Sequence, residues 1–328
     1  MSAATPAAKI SGHAAGKGTS GDRASEPKPK KNLGALWRTR SASDWIIDGI
    51  IALIIAAIVL AILYPMWFII VASFSDPNLV STGKVTVLPK GINFKGYLKI
   101  LEDTRIWIGY RNTLLYSLLG TAVNLIVTLP AAFALSRKEF KPRRVILFFF
   151  TFTMFFGGGL IPSYLLMKQL GLLNSIWVFI IPGAFSVFNM IIARSFFEAS
   201  IPEELHDAAQ VDGLSYFGYF NKIVLPLSTA IIAVIGLYYF VGHWNDYFTG
   251  LIYIRDQNLQ PLQNVLQNIL LANQTQVGSV GMTAMDSQNF ADQIKFGVII
   301  VSTIPLLIIY PFLQKYFNKG VMIGAVKG

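Results

Sequence analysis

The chain contains no cysteine, which excludes disulfides, thiol catalysis and Cys-ligated metal together. Charge is scarce as well: 13% of the residues are Asp, Glu, Lys or Arg against 54% hydrophobic, and mean hydropathy is +0.54 over 328 residues. That balance belongs to a polytopic membrane protein, not to a soluble domain. Histidine is limited to His13, His206 and His243, in three different regions. No H-E-x-x-H, no G-x-S-x-G elbow and no paired carboxylates occur, so catalysis has no residues to run on. Gly12, Gly16 and Lys17 have the outline of a phosphate loop, but three residues separate the glycines and Gly18 stands where Ser or Thr is required. No catalytic residue, no metal and no cofactor bound by this chain are expected.

What the chain does have is apolar length. Six uncharged runs follow one another: Gly49 to Ser75, Asn112 to Ser136, Val145 to Met167, Gln169 to Ala193, Ile223 to Asn245 and Phe296 to Gln314. Crossing about 30 Å of hydrocarbon takes roughly 20 helical residues, and every run is about that long or longer. The expected fold class is all-α, with six transmembrane spans at about 46–72, 112–136, 145–167, 172–195, 223–245 and 294–314. Pro130, Pro162, Pro182 and Pro305 lie inside the runs; membrane helices tolerate them by kinking. Gly157-Gly158-Gly159 mark the third span as bent or closely packed, and of the two a helix contact through small residues is the expectation.

The first 40 residues carry eight Lys/Arg against two Asp/Glu, within a net charge of +10. They show hardly any apolar periodicity, so residues 1–44 are expected to be a disordered basic tail. No small-residue cleavage site closes the following run at the right distance, so the tail does not read as a cleavable signal. Basic residues interleaved with aromatics are missing, which argues for attraction to a membrane surface and against nucleic acid. The linker Ser136 to Arg144 has five Lys/Arg in nine residues and is therefore placed in the cytoplasm with the tail. Six spans then put both termini inside.

Between the fourth and fifth runs lies a polar island, Ser200 to Pro226. Ser200 with Glu203 three residues on has the form of a capping box, and Pro202 suits a first helical turn. Leu205, Ala208, Ala209 and Asp212 recur at i, i+3, i+4 and i+7, and Gly213 is fitted to end the helix. A second short helix fits Ser215 to Lys222. A helix of about three turns carrying Glu203, Glu204, Asp207 and Asp212 is marginal in water and excluded from lipid, so it must dock on protein or remain a solvated loop. Adjacent small alanines suit a groove in another subunit.

At these residues the chain resembles the permeases of ABC importers. Asp207-Ala208-Ala209, three residues, Gly213, nine residues, Ile223, one residue and Leu225-Pro226 follow the EAA loop of that family, with Asp207 where the family usually has Glu. The span from about Trp45 to Gly328 resembles the MalG-like subunit of carbohydrate importers. The run Lys319 to Gly328 is similar to the branch taking aldouronates and alginate fragments. The resemblance implies a coupling helix, with Glu203, Glu204, Leu205, Asp207, Ala208, Ala209, Gly213, Ile223, Leu225 and Pro226 engaging a cytoplasmic ATPase. It further implies a second permease as heterodimer partner, two ATPase subunits that hold ATP and Mg, an extracytoplasmic binding protein, and a bacterial inner membrane location.

A translocation pathway is expected near Trp244, Asn245, Asp246 and Tyr247, because polar residues at membrane depth usually face a pathway; Trp244 equally suits an interfacial anchor, and His243 a packing role. The segment Tyr247 to Asp292, rich in Gln and Asn, suits sugar binding, and the resemblance gives it a role in probing the binding protein. The main rival is an ion-coupled secondary transporter, but the six runs contain no charged residue. The same importer type for a neutral sugar stays open.

Overall fold

The computed structural model describes residues 42–275 and 294–311, which are helical apart from short connections, with no strand among them. The basic tail, the stretch 276–293 and the run Lys319 to Gly328 lie outside the described residues. The chain divides into two units, Met1–Ala61 and Ile62–Gly328. In the first, residues 45–61 of helix α1 (Ala42–Ser73) all expose their side chains, as an apolar helix surrounded by lipid does.

The second unit is built along one long helix. Asp76 caps α2 (Pro77–Ser81), α3 spans Lys95–Glu102, and Asp103 starts α4 (Thr104–Ser136) by accepting the Arg105 N–H at 2.9 Å. The Arg105 guanidinium, bonded to Asp103, also holds that carboxyl below the usual carboxylate range. Pro130 lies within α4 without breaking it. The helix buries Gly109, Thr113, Ser117, Gly120, Asn124, Thr128, Ala132 and Ser136, a small and polar stripe at spacings of three to four residues. Small residues let helix backbones approach, and polar ones bond across.

Next come α5 (Arg143–Phe155), α6 (Leu160–Gln169), α7 (Trp177–Ile180), α8 (Val187–Ser200), α9 (Glu203–Val211), α10 (Tyr216–Leu227), α11 (Thr229–Trp244), α12 (Phe248–Tyr253), α13 (Leu262–Thr275) and α14 (Ile294–Pro311). Among the described residues, three helices are long and apolar enough to cross a membrane: Trp45–Ser73, Thr104–Ser136 and Ile294–Pro311. Two bent pairs, α5 with α6 and α10 with α11, raise that to five if each is one span. The run 172–195 is not one helix: it unwinds over 181–186, at Pro182 and Gly183, between α7 and α8.

Each interruption has a chemical cause. The α5–α6 pair bends by 112°, with Gly159 at φ +86°. Among the described residues of this chain nothing packs tightly on the three glycines: a Cβ built on Gly157 or Gly159 meets nothing within 4 Å, and one on Gly158 meets only Pro162, at 3.6 Å. Within this chain the glycines serve the turn and pack against no other described span, contrary to the expectation of a helix contact through small residues. Pro226 donates no N–H, and the preceding turn, Phe220–Val224, widens into π-helix before an 84° bend at Ser228.

Apolar clusters pack along α4. At its N-terminal end Ile106 belongs to a buried cluster with Trp244, Leu262, Leu266 and Val298. At its C-terminal end Leu129, Ala132 and Phe133 meet Met190, Phe197, Ala209, Tyr219 and Val224. Asn112 donates to the carbonyls of Asn258 and Gln260 at 2.7 and 3.0 Å, and Thr113 accepts the Leu262 N–H at 2.8 Å. The segment between α12 and α13 is thereby tied to α4, so Tyr247 to Asp292 is structured at least as far as Thr275.

Candidate coupling loop and translocation cleft

The capping box does not form. Ser200 closes α8, and α9 starts from Pro202, which has no capping side chain. Glu203 pairs instead with Lys138 of the basic linker, at 2.9 Å. This hydrogen-bonded ammonium holds the Glu203 carboxyl below the usual carboxylate range. The far end forms as expected. Gly213 adopts φ +74°, its N–H reaches the Gln210 carbonyl at 3.0 Å, and the Leu214 N–H reaches Ala209 at 2.9 Å. These two bonds are a Schellman cap, which needs a left-handed residue at Gly213. Ser215 then caps the next helix by accepting the Gly218 N–H at 3.2 Å.

Helix α9 lies with one face on its own chain. Ala209 is buried among the residues around Phe133, and buried His206 sits between the rings of Tyr216 and Tyr219 at 5.0 and 5.2 Å. Ala209 therefore does not enter a partner's groove; its small side chain lets α9 lie against its own bundle. Glu203, Glu204, Leu205, Asp207, Ala208, Val211 and Gly213 face outward, and Val211 is 88% exposed. Ile223 and Leu225 are half-buried against the same cluster, and Pro226 is exposed. Between the end of α4, the linker and α10 a groove of about 430 Å³ is lined by Phe133, Arg137, Phe140, Tyr216, Phe217 and Phe220. Glu198 receives Arg194 at 2.6 Å and Arg143 at 3.9 Å. The linker and the island thus form one continuous surface.

The residues expected to line a pathway part company. Trp244 is buried, its indole N–H donating to the Ser302 carbonyl at 3.2 Å and its ring stacked on Phe240. It is a packing residue and leaves the pathway set. Asn245 is exposed and caps α11 through the Val241 carbonyl at 3.0 Å. Tyr247 is half-buried and does not line the cleft described next. Asp246 does line it, and accepts the Thr249 N–H at 3.1 Å.

The cleft measures about 760 Å³ and lies between α6, the unwound stretch 181–186, α11 and α12. Its framework is a polar network that sequence reasoning missed. Asn124 donates to the Gly183 carbonyl and accepts from His243, 2.7 Å away. Because the Asn124 amide nitrogen is taken by that carbonyl, its oxygen faces His243, and the His243 Nε2 carries the proton. A Cβ on Gly120 would collide with the His243 ring, so this glycine makes room for it. One turn further, the Tyr239 hydroxyl meets Thr128 at 2.7 Å and the Ser186 N–H at 3.0 Å. Backbone unwound in hydrocarbon must find such partners. The signal for this network lay in the periodic polar residues of α4.

The family model for binding-protein-dependent transport system inner membrane components matches residues 106–323. The chain belongs to this family. It is a transport subunit of ABC type and not an enzyme, which answers the ion-coupled rival. This permease is 38% identical over 264 residues to the polygalacturonan/rhamnogalacturonan transport system permease protein YtcP of Bacillus subtilis, covering 80% of this chain and 92% of YtcP. It is also 38% identical to Protein LplC of the same organism, covering 80% and 89%. A chain in the crystal structure of a bacterial ABC transporter involved in import of the acidic polysaccharide alginate superposes with a TM-score of 0.74 at 33% identity, covering 85% of this permease and 99% of that chain.

Proposed function

We propose that this permease forms half of the transmembrane pathway of an oligosaccharide importer in the bacterial cytoplasmic membrane, with acidic oligosaccharides as cargo. A second permease, two ATPases that bind ATP and Mg, and an extracytoplasmic binding protein complete it. The observation that carries the reading is helix α9: held on one face by His206 and Ala209, it turns Leu205, Ala208 and Val211 outward among carboxylates. An exposed amphipathic helix on a rigid base is what helix-in-groove docking requires. ATP-driven closure of the ATPase pair would move this helix and, through α8 and α10, rock the spans between outward-open and inward-open states. The relatives named for pectic glycans and for alginate support an acidic cargo.

Val211→Arg tests the docking surface. Because Val211 is almost fully exposed, the variant keeps its fold and its place in the membrane. Glycan-stimulated ATPase and uptake in liposomes should fall at least tenfold. Unimpaired coupling in that variant would remove α9 from the ATPase interface.

A further inference from the structure

The 760 Å³ cleft has an unusual charge content for a path that carries acidic glycans. Among the described residues its lining includes no lysine or arginine, and the one carboxylate among them is Asp246. The His243 Nε2–H is committed to Asn124. What remains are hydroxyl and amide groups, from Ser163, Ser186, Asn189 and Thr249, and the aromatic faces of Tyr238 and Phe248, both about half exposed. A carboxylate beside aromatic faces binds vicinal hydroxyls and the apolar face of a pyranose, and repels a uronate carboxylate.

We propose that this cleft is a sugar subsite reading the uncharged hydroxyl face of the glycan, with Asp246 as its specificity-determining acceptor. The inference rests on the importer function proposed above. It assigns neutralisation of uronate carboxylates to surfaces other than this cleft. Asp246 is placed for this by α12: its carboxylate accepts the Thr249 N–H, which fixes one oxygen and leaves the other for a ligand.

The test compares galacturonate and mannuronate oligosaccharides with the same chains fully methyl-esterified, by uptake into liposomes holding the complete transporter with its binding protein. Asp246→Asn keeps an oxygen that can accept the Thr249 N–H and exchanges the other carboxylate oxygen for an amide NH2, removing the charge and the free acceptor together. The ester-to-acid uptake ratio should fall about tenfold relative to wild type, the worth of one charge-assisted hydrogen bond. For the acid, losing an acceptor is offset by losing a repulsion. An unchanged ratio, or a larger loss for the free acid, overturns the proposal. Tyr238→Ala is the second probe: uptake of both glycans should fall by the same factor, and undiminished uptake of either rules out the ring as a sugar platform. If the wild-type transporter takes up neither glycan, the importer reading fails in its own right, an outcome distinct from a defect confined to the variants.

Discussion

Two glycines are constrained in opposite ways, one by its backbone and one by its neighbour. Gly213 holds φ +74°, and a Cβ built on it meets nothing within 4 Å, so a substitution there is opposed by the backbone alone. A left-handed residue with a side chain costs about 1–2 kcal/mol, and Asn pays least. Gly213→Val should therefore unwind the cap of α9 and abolish ATPase stimulation, whereas Gly213→Asn should keep most of it. If the two variants behave alike in the stimulated ATPase assay, the cap is not what sets the angle of α9. Gly120 is the opposite case, confined by its neighbour and not by its φ. In Gly120→Ala the new methyl displaces the His243 ring and breaks its bond to Asn124, at a cost of about 1–3 kcal/mol. Thermal unfolding in detergent should fall in that variant and recover in part when His243→Ala is added, because the second change removes the clash; purely additive losses would mean that the two residues do not share a site.

At the scale of elements, the loop of residues 203–226 is largely legible in the sequence and the spans less so. Spacing locates α9, its terminus at Gly213 and the second short helix, because caps and helical periodicity are local. The start of α9 is not legible, since a Ser three residues before a Glu is only a local signal and here α8 runs on through Ser200. Which alanine faces inward is hidden too: both fit the periodic pattern, and only the distant cluster that includes Phe133 and Tyr219 decides that Ala209 is covered. The break at 181–186 escapes the sequence because Pro182 and Gly183 are tolerated in a continuous membrane helix unless distant residues, here Asn124 and Tyr239, satisfy an unwound backbone. One cross-element contact makes its own prediction. Lys138 and Glu203 join the linker to α9, and the shift of Glu203 is downward. A carboxylate with a depressed value contributes above its unfolded pKa, about 4.3, and loses that contribution as pH falls through the lower folded value. Coupling through this exposed pair should therefore be flat from about pH 5 to 8 and weaken with salt. Lys138→Glu should reduce ATPase stimulation and Lys138→Glu with Glu203→Lys should restore it; a double variant as impaired as the single one would mean the pair plays no part.

For the whole molecule, the orientation rests on charge. The linker with five Lys/Arg in nine residues and the acidic helix α9 come from separate parts of the chain, and the Lys138–Glu203 contact brings them to one end of α4. Two independent features that favour the cytoplasm therefore occupy one surface, as they must if the positive-inside bias and ATPase docking are both obeyed. The opposite end of α4 carries Asn112 and the segment 254–262 tied to it, which the proposed orientation puts on the outer side. The absence of cysteine makes this directly measurable, because any thiol introduced is the only one in the chain. Lys141→Cys and Val211→Cys should react with a membrane-impermeant maleimide only in inverted vesicles, and Asn258→Cys only in intact cells or spheroplasts. Each residue is exposed, so a lack of labelling from either side cannot be blamed on burial in this chain. If Val211→Cys is labelled from outside, α9 faces away from ATP and the coupling surface would have to be sought elsewhere. Protection of Val211→Cys upon adding the ATPase, with Lys141→Cys still reactive, would place the docked subunit on α9 itself and leave the linker as its support.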